Sequence, residues 1–578
     1  FITLGELGPC VALLHLCVIA VGTCNYHSHG RLTTLWPISA IGDLDSSWDM
    51  LVRLGQDPDF QPPPLPMGWD QALASQLPDP DSFQAGGLRR AAKTWDRFFI
   101  MAQTPEQDIQ EVRPWLTEGV AWPMLPVFHA NQPQGTKRLK KVEIVRGMLR
   151  RALPKGADIE AYLTSPTPQQ VSFPNNPSIL EFQDFVAGEV QSMLQKGVIQ
   201  PWTAPHPPVV VNGLLVCTDK WPKLRLCLSP MYPNLWWEYR PLVYDKLHEL
   251  VPLSQPGDWA MTTDDKHGYW HVPLHTSMWP YLAFTVGGVT YNFTHLPFGV
   301  APACYVYTKI KETIFSPLRS KGLRILFLID DQLNLQQGYA RAQAQSSAMA
   351  SLLSLLGFVI SIPKCTLQPT RELKFLGLGV DLHHRRFFVP EDKRASILAV
   401  IKEHLAAETL TNRQMASLAG KLMALQLALH LAPLLARSVH KLANGRGWDT
   451  KFPTTSQWQA ELQLTHDLLE TTHARNWFSR HTSLILVGDA SESALAAFTP
   501  NRELSAPIIQ PFTTQQQQQF VHGQWSSTAR ELEALHVALQ VSIEQCPDKT
   551  RGGKVQYCTD SQAGAHAMSN MREIGRAH

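Results

Sequence analysis

The sequence predicts an α+β protein built from several domains, and three observations support this fold class. Its 578 residues are more than a single hydrophobic core usually serves. Short apolar runs of strand length alternate with helical patterns up to about residue 385, and Ala- and Leu-rich helical stretches then dominate from Glu391 to about Asn444. A further strand-like run, Leu484–Gly488, begins a second α/β unit.

Residues 1–170 carry weak signals and stay unassigned, in part as a linker. The chain begins with Phe1, so we expect it to be a fragment of a longer protein. A proline-rich patch predicts an extended connector, and it comprises Pro58, Pro62, Pro63, Pro64 and Pro66. A basic run is interpreted as a solvated helix face, and it comprises Lys137, Arg138, Lys140, Lys141, Arg146, Arg150, Arg151 and Lys155.

The remaining patterns divide the chain into three further regions, 171–385, 386–480 and 481–578. From Ser178, apolar residues at helical spacing predict a helix that Gly197 ends. The glutamine tract Gln515–Gln519 is expected to be a polar loop insertion. Strand candidates lie at Pro208–Val211, Leu214–Cys217, Leu224–Leu228, Ile325–Ile329 and Gln332–Leu335.

Charge and cysteine usage restrict the partners and the compartment. The net charge is only +2, so a nucleic-acid surface must be local. Nine cysteines without zinc-type spacing predict a reducing compartment, intracellular and either cytoplasmic or nuclear. The apolar stretch Cys10–Gly22 is too short to span a membrane and lacks the basic start of a signal peptide. The seven-residue spacing of Cys10, Cys17 and Cys24 is interpreted as packing on one helix face.

Two acidic segments offer the ligands that hard divalent cations need. The first is Asp264-Asp265, and the second is Asp330-Asp331 at a predicted hairpin tip between apolar runs. Polynucleotide synthesis uses two divalent ions roughly 3.5–4 Å apart, and such ions take carboxylate oxygens. Either pair alone fits ordinary turn chemistry. The two pairs belong to an ordered set, however, with Leu296-Pro297-Phe298-Gly299 between them and Lys364 after them.

Three acids near the C-terminus predict a second site. Asp489 ends one strand-like run, Glu531 lies in a helical pattern, and Asp560 ends another strand-like run. Acids in these positions can converge on a two-metal hydrolytic site. Glu531 alone would be interpreted as a surface acid, and the order of the three favours the site.

From about residue 175 onward the sequence resembles reverse transcriptases, specifically those of DIRS-type retrotransposons. The resemblance is carried by Gly268-Tyr269-Trp270-His271-Val272-Pro273-Leu274, Leu296-Pro297-Phe298-Gly299 and Pro233-Asn234-Leu235-Trp236. The C-terminal acids resemble those of ribonuclease H. The implied fold is a right-hand polymerase with fingers, palm and helical thumb or connector, followed by a ribonuclease H-like α/β domain.

The resemblance also implies an activity and its partners. The activity would be RNA-directed DNA synthesis in retrotransposon replication, from dNTPs on an RNA template and a DNA primer, followed by degradation of RNA in the RNA–DNA hybrid. Two Mg²⁺ (or Mn²⁺) ions would serve each active site. The implied metal ligands are Asp264, Asp330 and Asp331 in one site and Asp489, Glu531 and Asp560 in the other.

Further roles follow from the same resemblance. Tyr269 would exclude a ribose 2′-OH, and Phe298 and Gly299 would line the nucleotide and template site. Arg225 would contact the incoming triphosphate, assisted by Lys220 or Lys223, between which the sequence does not choose. For Lys364, a site role and a solvated surface position stay equally open. The segment Phe375-Leu376-Gly377 would form the turn that holds the primer end.

Three positions depart from the family pattern, namely Leu328, Ser229 and Met231. The family usually has an aromatic residue at the first, and an aspartate and an arginine at the other two. A ribonuclease H also usually supplies a fourth carboxylate beyond the last residue, His578, so we expect that domain to be truncated. These departures keep an alternative open, a decayed retroelement remnant that only binds nucleic acid. A Gypsy-type polyprotein is a third reading, which differs in lineage and not in chemistry.

Overall fold

The structure, a computed structural model, describes residues 42–220, 222–433, 435–437, 447–477, 482–501, 503–521, 526–550 and 554–561. All of them belong to one compact unit, Ala40–His578. The expectations for Cys10, Cys17 and Cys24, for the stretch Cys10–Gly22 and for the side chain of Lys220 lie outside these residues. Across the described ranges, no helix is long and apolar enough to cross a membrane.

The N-terminal segment folds mainly into helices. Asp43 caps the first helix, because its Oδ1 accepts a hydrogen bond from the Ser46 amide at 2.8 Å. The proline-rich patch lies between the first two helices without helix or strand over residues 60–66, in agreement with an extended connector. The helices are α1 (Leu44–Gln56), α2 (Trp69–Gln76), α3 (Gly87–Arg90), α4 (Ala92–Ala102), α5 (Glu106–Thr117), α6 (Thr136–Ala152) and α7 (Ile159–Thr164).

These helices pack directly on the rest of the unit. Trp95 of α4 is buried, and its Nε1 donates to the Leu356 carbonyl at 2.9 Å. Gly55 of α1 lies so close to the Lys321 carbonyl that an added Cβ would be 2.4 Å from the oxygen. Helices α6 and α7 share one hydrophobic core with Tyr232. One hydrophobic core therefore contains residues from both sides of the boundary expected after residue 170.

Two sheets occupy the middle of the chain. Their strands are β1 (Val171–Ser172), β2 (Ile199–Pro201), β3 (Val210–Lys220), β4 (Lys223–Ser229), β5 (Asp258–Asp264), β6 (Ala283–Val286), β7 (Val289–Phe293), β8 (Arg324–Leu328), β9 (Asp331–Gln337) and β10 (Thr366–Thr370). One sheet has the order β1-β3-β6-β7-β2, with β4 paired to β3. The other, called the acidic sheet below, has the order β10-β5-β9-β8.

Helices and short turns connect these strands. The helices are α8 (Ser178–Glu181), α9 (Gln183–Gln195), α10 (Leu250–Leu253), α11 (Ala303–Ser320) and α12 (Tyr339–Leu355). The 3₁₀ turns include Pro80–Ser82, Pro233–Leu235, Leu247–Glu249, Gly268–His271, Thr276–Tyr281 and Ile362–Lys364. The helix predicted from Ser178 is confirmed as α8 and α9, and Gly197, with φ +70°, follows its end.

The strands predicted separately at Pro208–Val211 and Leu214–Cys217 are one strand, β3. The two predicted strands were separated by Asn212 and Gly213. In the structure the Asn212 amide donates to the carbonyls of Tyr281 and Ala283, at 2.9 and 3.1 Å. Gly213 lies where an added Cβ would be 2.6 Å from the Pro174 carbonyl oxygen. Both residues therefore serve close neighbours and do not end the strand.

The C-terminal part contains three further sheets. The strands are β11 (Glu372–Phe375), β12 (Leu378–Asp381), β13 (Arg386–Phe388), β14 (Thr409–Thr411), β15 (Lys451–Pro453), β16 (Ala474–Asn476), β17 (Thr482–Ala490), β18 (Ala494–Phe498), β19 (Ile508–Pro511) and β20 (Lys554–Cys558). The helices are α13 (Glu391–Ala406), α14 (Asn412–Met423), α15 (Ser456–Thr471), α16 (Thr514–Val521), α17 (Ser527–Gln545) and α18 (Pro547–Thr550). The sheet β11-β12-β13-β16 joins strands from both sides of the boundary expected after residue 385.

Two predictions for this part need correction. The helical stretch expected from Glu391 onward is interrupted by strand β14, whose last residue, Thr411, caps α14 in a capping box with Gln414. The tract Gln515–Gln519 lies in helix α16 and is not a loop. Glutamine is a good helix former, and the Thr513 hydroxyl accepts from the Gln516 amide at 3.3 Å to begin that helix.

Candidate active site

The first acidic group lies at one edge of the acidic sheet. Strand β5 ends at Asp264, which pairs in register with Asp331, the first residue of β9. Asp331 also pairs with Leu328 at the end of β8, so Ile329 and Asp330 form the hairpin tip. Ile329 has φ +59°, a conformation that is strained for a β-branched residue. The predicted acidic hairpin tip is therefore confirmed, and the tertiary fold brings Asp264 beside it.

The carboxylates at this edge are close enough to perturb one another. Burial, followed by repulsion from Asp330 and Asp264, raises the pKa of Asp331 from 3.8 to about 6. Burial is also the main reason that the pKa of Asp330 is raised. Clustered carboxylates of this kind are the oxygen donors that Mg²⁺ or Mn²⁺ takes, and a bound cation would relieve their repulsion. The residues present therefore fit divalent ions.

Lys364, for which the sequence left two readings open, lies at this site. Its Nζ donates to both carboxylate oxygens of Asp264, at 2.9 and 3.3 Å. Partial burial lowers the pKa of Lys364, but the hydrogen bond and the negative charge of Asp264 outweigh it and raise the pKa overall. The lysine therefore stays charged and compensates the charge of one proposed metal ligand.

Two aromatic side chains, Tyr269 and Phe298, lie beside the acids and are called the aromatic wall below. Tyr269 lies in a 3₁₀ turn and is 6% exposed. Its ring centroid is 4.9 Å from that of Phe298, and its hydroxyl is 3.0 Å from the Cys304 Sγ. Gly268, next to it, approaches Asp330 so that an added Cβ would be 3.6 Å from the aspartate Cβ. The structure therefore brings Tyr269 and Phe298 together beside the hairpin tip.

The turn after Phe298 is held by a residue that carried no assigned role in the sequence. The Asn234 amide donates to the Gly299 carbonyl at 2.9 Å, and its Oδ1 accepts from the Ala301 amide at 2.8 Å. Gly299 itself has φ +92° and faces the Leu228 carbonyl oxygen, which would lie 3.1 Å from an added Cβ. A glycine is therefore needed at this position. The only sequence signal for Asn234 was its place in a family-like motif.

The β3–β4 hairpin carries the residues expected to bind the triphosphate. Arg225 pairs with Cys217 and is exposed. Leu226 and Leu228 line a small cavity with Phe298, and Arg225 belongs to the opposite face of β4 because side chains alternate along a strand. Among the described residues, no ion pair joins Arg225 to Asp264, Asp330 or Asp331, so its role stays a prediction. The exposed Lys223 pairs with Lys220, whose side chain lies outside the described residues.

A buried ion pair behind the acids escaped the sequence analysis. Asp265 and Lys311 are both fully buried, and the Lys311 Nζ lies 2.6 Å from the Asp265 Oδ2. The Tyr307 hydroxyl donates to the same oxygen at 2.6 Å, and the ammonium lies 4.0 Å from the centroid of the Phe358 ring. The Asp265 amide also donates to the Asp330 carbonyl at 3.2 Å. This cluster therefore links helix α11 to the hairpin tip that carries Asp330.

The second acidic group converges as the sequence predicted. Asp489 lies on β17, Glu531 on α17, and Asp560 follows β20, which pairs parallel to β17. One ligand oxygen from each of the three lies within 4.8 Å of the others. Burial, followed by the charge of Asp489, raises the pKa of Glu531, and the Thr559 hydroxyl donates to it at 3.2 Å. This donor set also fits hard divalent cations.

One part of the chain is similar to a known protein family. Residues 224–380 match the sequence profile of a family described as "Reverse transcriptase (RNA-dependent DNA polymerase)". This range contains Asp264, Asp330 and Asp331 but none of the C-terminal acids. Two Protein P sequences of duck hepatitis B virus, from the strains Germany/DHBV-3 and United States/DHBV-16, are each 25% identical over 158 residues, or 27% of this chain. The matched segment spans only 20% and 18% of those relatives' own length.

Two solved structures of foamy viral protease–reverse transcriptase are also similar. The structure in complex with an RNA/DNA hybrid has a TM-score of 0.47 and 14% identity, covering 77% of this chain and 58% of that chain. The dRH form in complex with double-stranded DNA has a TM-score of 0.46 and 15% identity, covering 76% and 75%. At TM-scores below 0.5, neither similarity supports a conclusion about the chemistry of this chain.

Proposed function

We propose that this chain copies RNA into DNA by two-metal nucleotidyl transfer, because residues 224–380 match the reverse transcriptase (RNA-dependent DNA polymerase) family. One observation carries the proposal. Asp264 pairs with Asp331 across the acidic sheet, and Asp330 occupies the adjoining hairpin tip, all inside the matched range. Three carboxylates at one sheet edge can hold the two Mg²⁺ or Mn²⁺ ions that this chemistry uses.

The side chains around the acids have complementary tasks in this proposal. When bound, the ions supply activation of the primer 3′ oxygen and neutralisation of the triphosphate charge. Asp264, Asp330 and Asp331 hold the ions, and Lys364 limits the repulsion among the carboxylates. Tyr269 is buried and positioned by Cys304, so its ring can exclude a ribose 2′-OH by steric contact and favour deoxynucleotides.

We further propose that the C-terminal unit hydrolyses the RNA strand of the hybrid. The support is the convergence of Asp489, Glu531 and Asp560 within 4.8 Å on the β17–β20 sheet and helix α17. A hydrolytic site needs oxygen ligands that can hold two ions on either side of the scissile phosphate. The buried Glu531, fixed by Thr559, provides a preorganised member of such a set.

We propose a DIRS-type retrotransposon as the source of this activity, on the motifs given above. The three departures from the family pattern lie outside the set of acids. Leu328 pairs with Asp331 in the β8–β9 hairpin through backbone hydrogen bonds, which do not depend on the side chain at this position. Ser229 pairs with Gly213 at the end of β4. The grouping of the acids at one sheet edge therefore favours an enzyme over a remnant that only binds nucleic acid.

Primer extension on an RNA template with Mg²⁺ or Mn²⁺ tests the polymerase. We expect the wild type to extend the primer and Asp330→Asn to lose extension, because one metal ligand is lost while the side-chain volume is kept. Asp184→Asn is the matched control, since Asp184 is an exposed acid of α9. If Asp330→Asn extends as well as this control, the assignment of the hairpin is wrong. Primer–template binding without extension by the wild type would favour the remnant.

Cleavage of a labelled RNA–DNA hybrid tests the second site in the same preparation. We expect Glu531→Gln to abolish cleavage and to leave primer extension at the wild-type rate. Glu533→Gln, two residues along the same helix, is the matched control. Retained cleavage in Glu531→Gln would refute the nuclease assignment without affecting that of the polymerase.

A further inference from the structure

A basic groove of ≈ 670 Å³ opens beside the aromatic wall. One side is formed by helix α6, through Lys137, Arg138 and Lys141. Gly299 and Asn234, which holds the turn containing Gly299, also line the groove. The groove therefore joins an N-terminal element, outside the matched range, to the proposed active site.

The α6 side of the groove carries positive charge that nothing nearby neutralises. Lys137 and Lys141 are exposed, and within the described part of the chain no carboxylate lies within ion-pair distance of either. Arg138 is partly buried, and its guanidinium donates to the Val127 carbonyl at 3.3 Å. Glu238, an acid in the groove lining, is already paired with Arg240 at 2.9 Å. The free charge of the groove is therefore positive.

Aromatic rings also line the groove. Trp122 lies under the Arg240 guanidinium, 4.7 Å from its ring centroid, and Tyr305 lies 5.6 Å from the same group. Tyr239 lines the groove and is 59% exposed, so its ring is available to a ligand. Trp237 is 2% exposed, and its Nε1 has no hydrogen-bond partner. The unpaired Lys137 and Lys141 line the same groove as the accessible ring of Tyr239. Cations combined with an exposed aromatic ring bind single-stranded nucleic acid, by phosphate contacts and base stacking.

The groove reaches the residues that surround the incoming nucleotide in the proposed function. Cys304 lines it, and the Cys304 Sγ is 3.0 Å from the Tyr269 hydroxyl. Gly299 lines it and directly follows Phe298. A strand held in the groove would therefore meet the active site at the aromatic wall.

We propose that α6 and the turn of Asn234 and Gly299 form a groove for the single-stranded RNA template that has not yet been copied. Lys137 and Lys141 contact its phosphates, and Tyr239 stacks on one of its bases. This assignment rests on the proposed polymerase function. It adds a nucleic-acid contact from a helix that precedes the range matched to the reverse transcriptase family. It also assigns a role in nucleic-acid binding to part of the basic run that the sequence analysis interpreted as a solvated helix face.

The test measures binding of the full chain to labelled primer–templates by fluorescence anisotropy, without dNTPs or metal, across a salt series. The substrates share one duplex and differ in having either a long single-stranded RNA overhang or none. Lys137→Gln/Lys141→Gln removes two phosphate contacts, so the slope of log K against log salt should become shallower by about 1.4 on the overhang substrate. Lys140→Gln/Arg151→Gln is the matched control, because both residues lie on α6 outside the groove lining.

A second pair of variants tests the stacking contact. Tyr239→Ala should weaken binding of the overhang substrate about tenfold, and Tyr239→Phe should retain it, because the ring and not the hydroxyl stacks. Equal losses on substrates with and without an overhang would assign the groove to the duplex and overturn the proposal. Slopes equal to those of the control variant would overturn it as well. Because no chemistry is needed, binding by the groove in a chain that fails to extend primers would refute the polymerase and leave the groove assignment standing.

Discussion

The buried pair of Asp265 and Lys311 gives a prediction with a defined magnitude. Both side chains are completely shielded from solvent, and their charged atoms lie 2.6 Å apart. Lys311→Met leaves the Asp265 carboxylate buried without its cation, and Asp265→Val leaves the ammonium of Lys311 without its anion. Removing one partner of a buried ion pair costs about 3–5 kcal/mol of the free energy of unfolding, because the remaining charge cannot return to water.

Replacing both partners together should have a much smaller effect. The double variant Asp265→Val/Lys311→Met removes both desolvation penalties, and such apolar replacements are often neutral or stabilising. Tyr307 donates to Asp265, so Tyr307→Phe added to the double variant also removes the hydroxyl that would otherwise lose its acceptor. Two single losses of about 3 kcal/mol or more, with a nearly neutral double variant, correspond to a coupling energy of about 6 kcal/mol or more between Asp265 and Lys311.

Urea denaturation of the four proteins of the double-mutant cycle measures this coupling, provided that each protein unfolds in one cooperative transition. Single variants that each lose less than about 1 kcal/mol would contradict the burial of uncompensated charge. Additive losses in the double variant would show that Asp265 and Lys311 do not act as a pair. A primer-extension assay of the double variant reports in addition whether the link from α11 to Asp330 affects synthesis.

Two further predictions concern the proposed active site. The pKa of Asp331 in the folded protein, about 6, exceeds its ordinary value of 3.8. The contribution of this carboxyl group to the free energy of unfolding is therefore fully present below pH 3.8 and is lost as the pH rises through 6. Without metal, Asp331→Asn should therefore be more stable than the wild type at about pH 7, by about 1 kcal/mol once solvent screening is taken into account. Urea denaturation should show no such gain in stability below about pH 4. An equal gain at both pH values would contradict the repulsion among these acids. Tyr269→Ala should lower the preference for dNTPs over rNTPs about tenfold or more, measured as the ratio of kcat/KM values, while Tyr269→Phe should keep this preference. Unchanged selectivity in the alanine variant would show that Tyr269 does not exclude the ribose 2′-OH.

The sequence was sufficient where local pattern decides structure. Apolar runs on both sides of Asp330 and Asp331 predicted the hairpin, because two strands joined by a short polar tip can form from neighbouring residues alone. The helix after Ser178 was predicted for the same reason, since its period and its terminal glycine are local signals. The C-terminal acids were assigned to two strands and a helix, and the structure brings these elements together.

Local sequence pattern was an insufficient guide where a residue hydrogen-bonds or packs against residues that are distant in the sequence. Asn212 and Gly213 separated two predicted strands that are one strand, β3, and the carbonyls that accept from Asn212 belong to residues about 70 positions later. The N-terminal helices appeared unassignable because their buried faces are completed by other elements, as when Trp95 donates to Leu356. The tract Gln515–Gln519 appeared loop-like from its polarity, although its helix propensity and the Thr513 cap favoured a helix.

The sequence by itself determined the identity of the acids, their order and the elements that carry them, because these depend on residue type and short-range periodicity. Only the tertiary structure decided the pairing of Asp264 with Asp331, the contact of Lys364 with Asp264, and the burial of Lys311 against Asp265. These contacts join residues from about 50 to 100 positions apart. Whether an aspartate binds a cation, pairs with a lysine or faces water depends on which distant groups the fold places beside it.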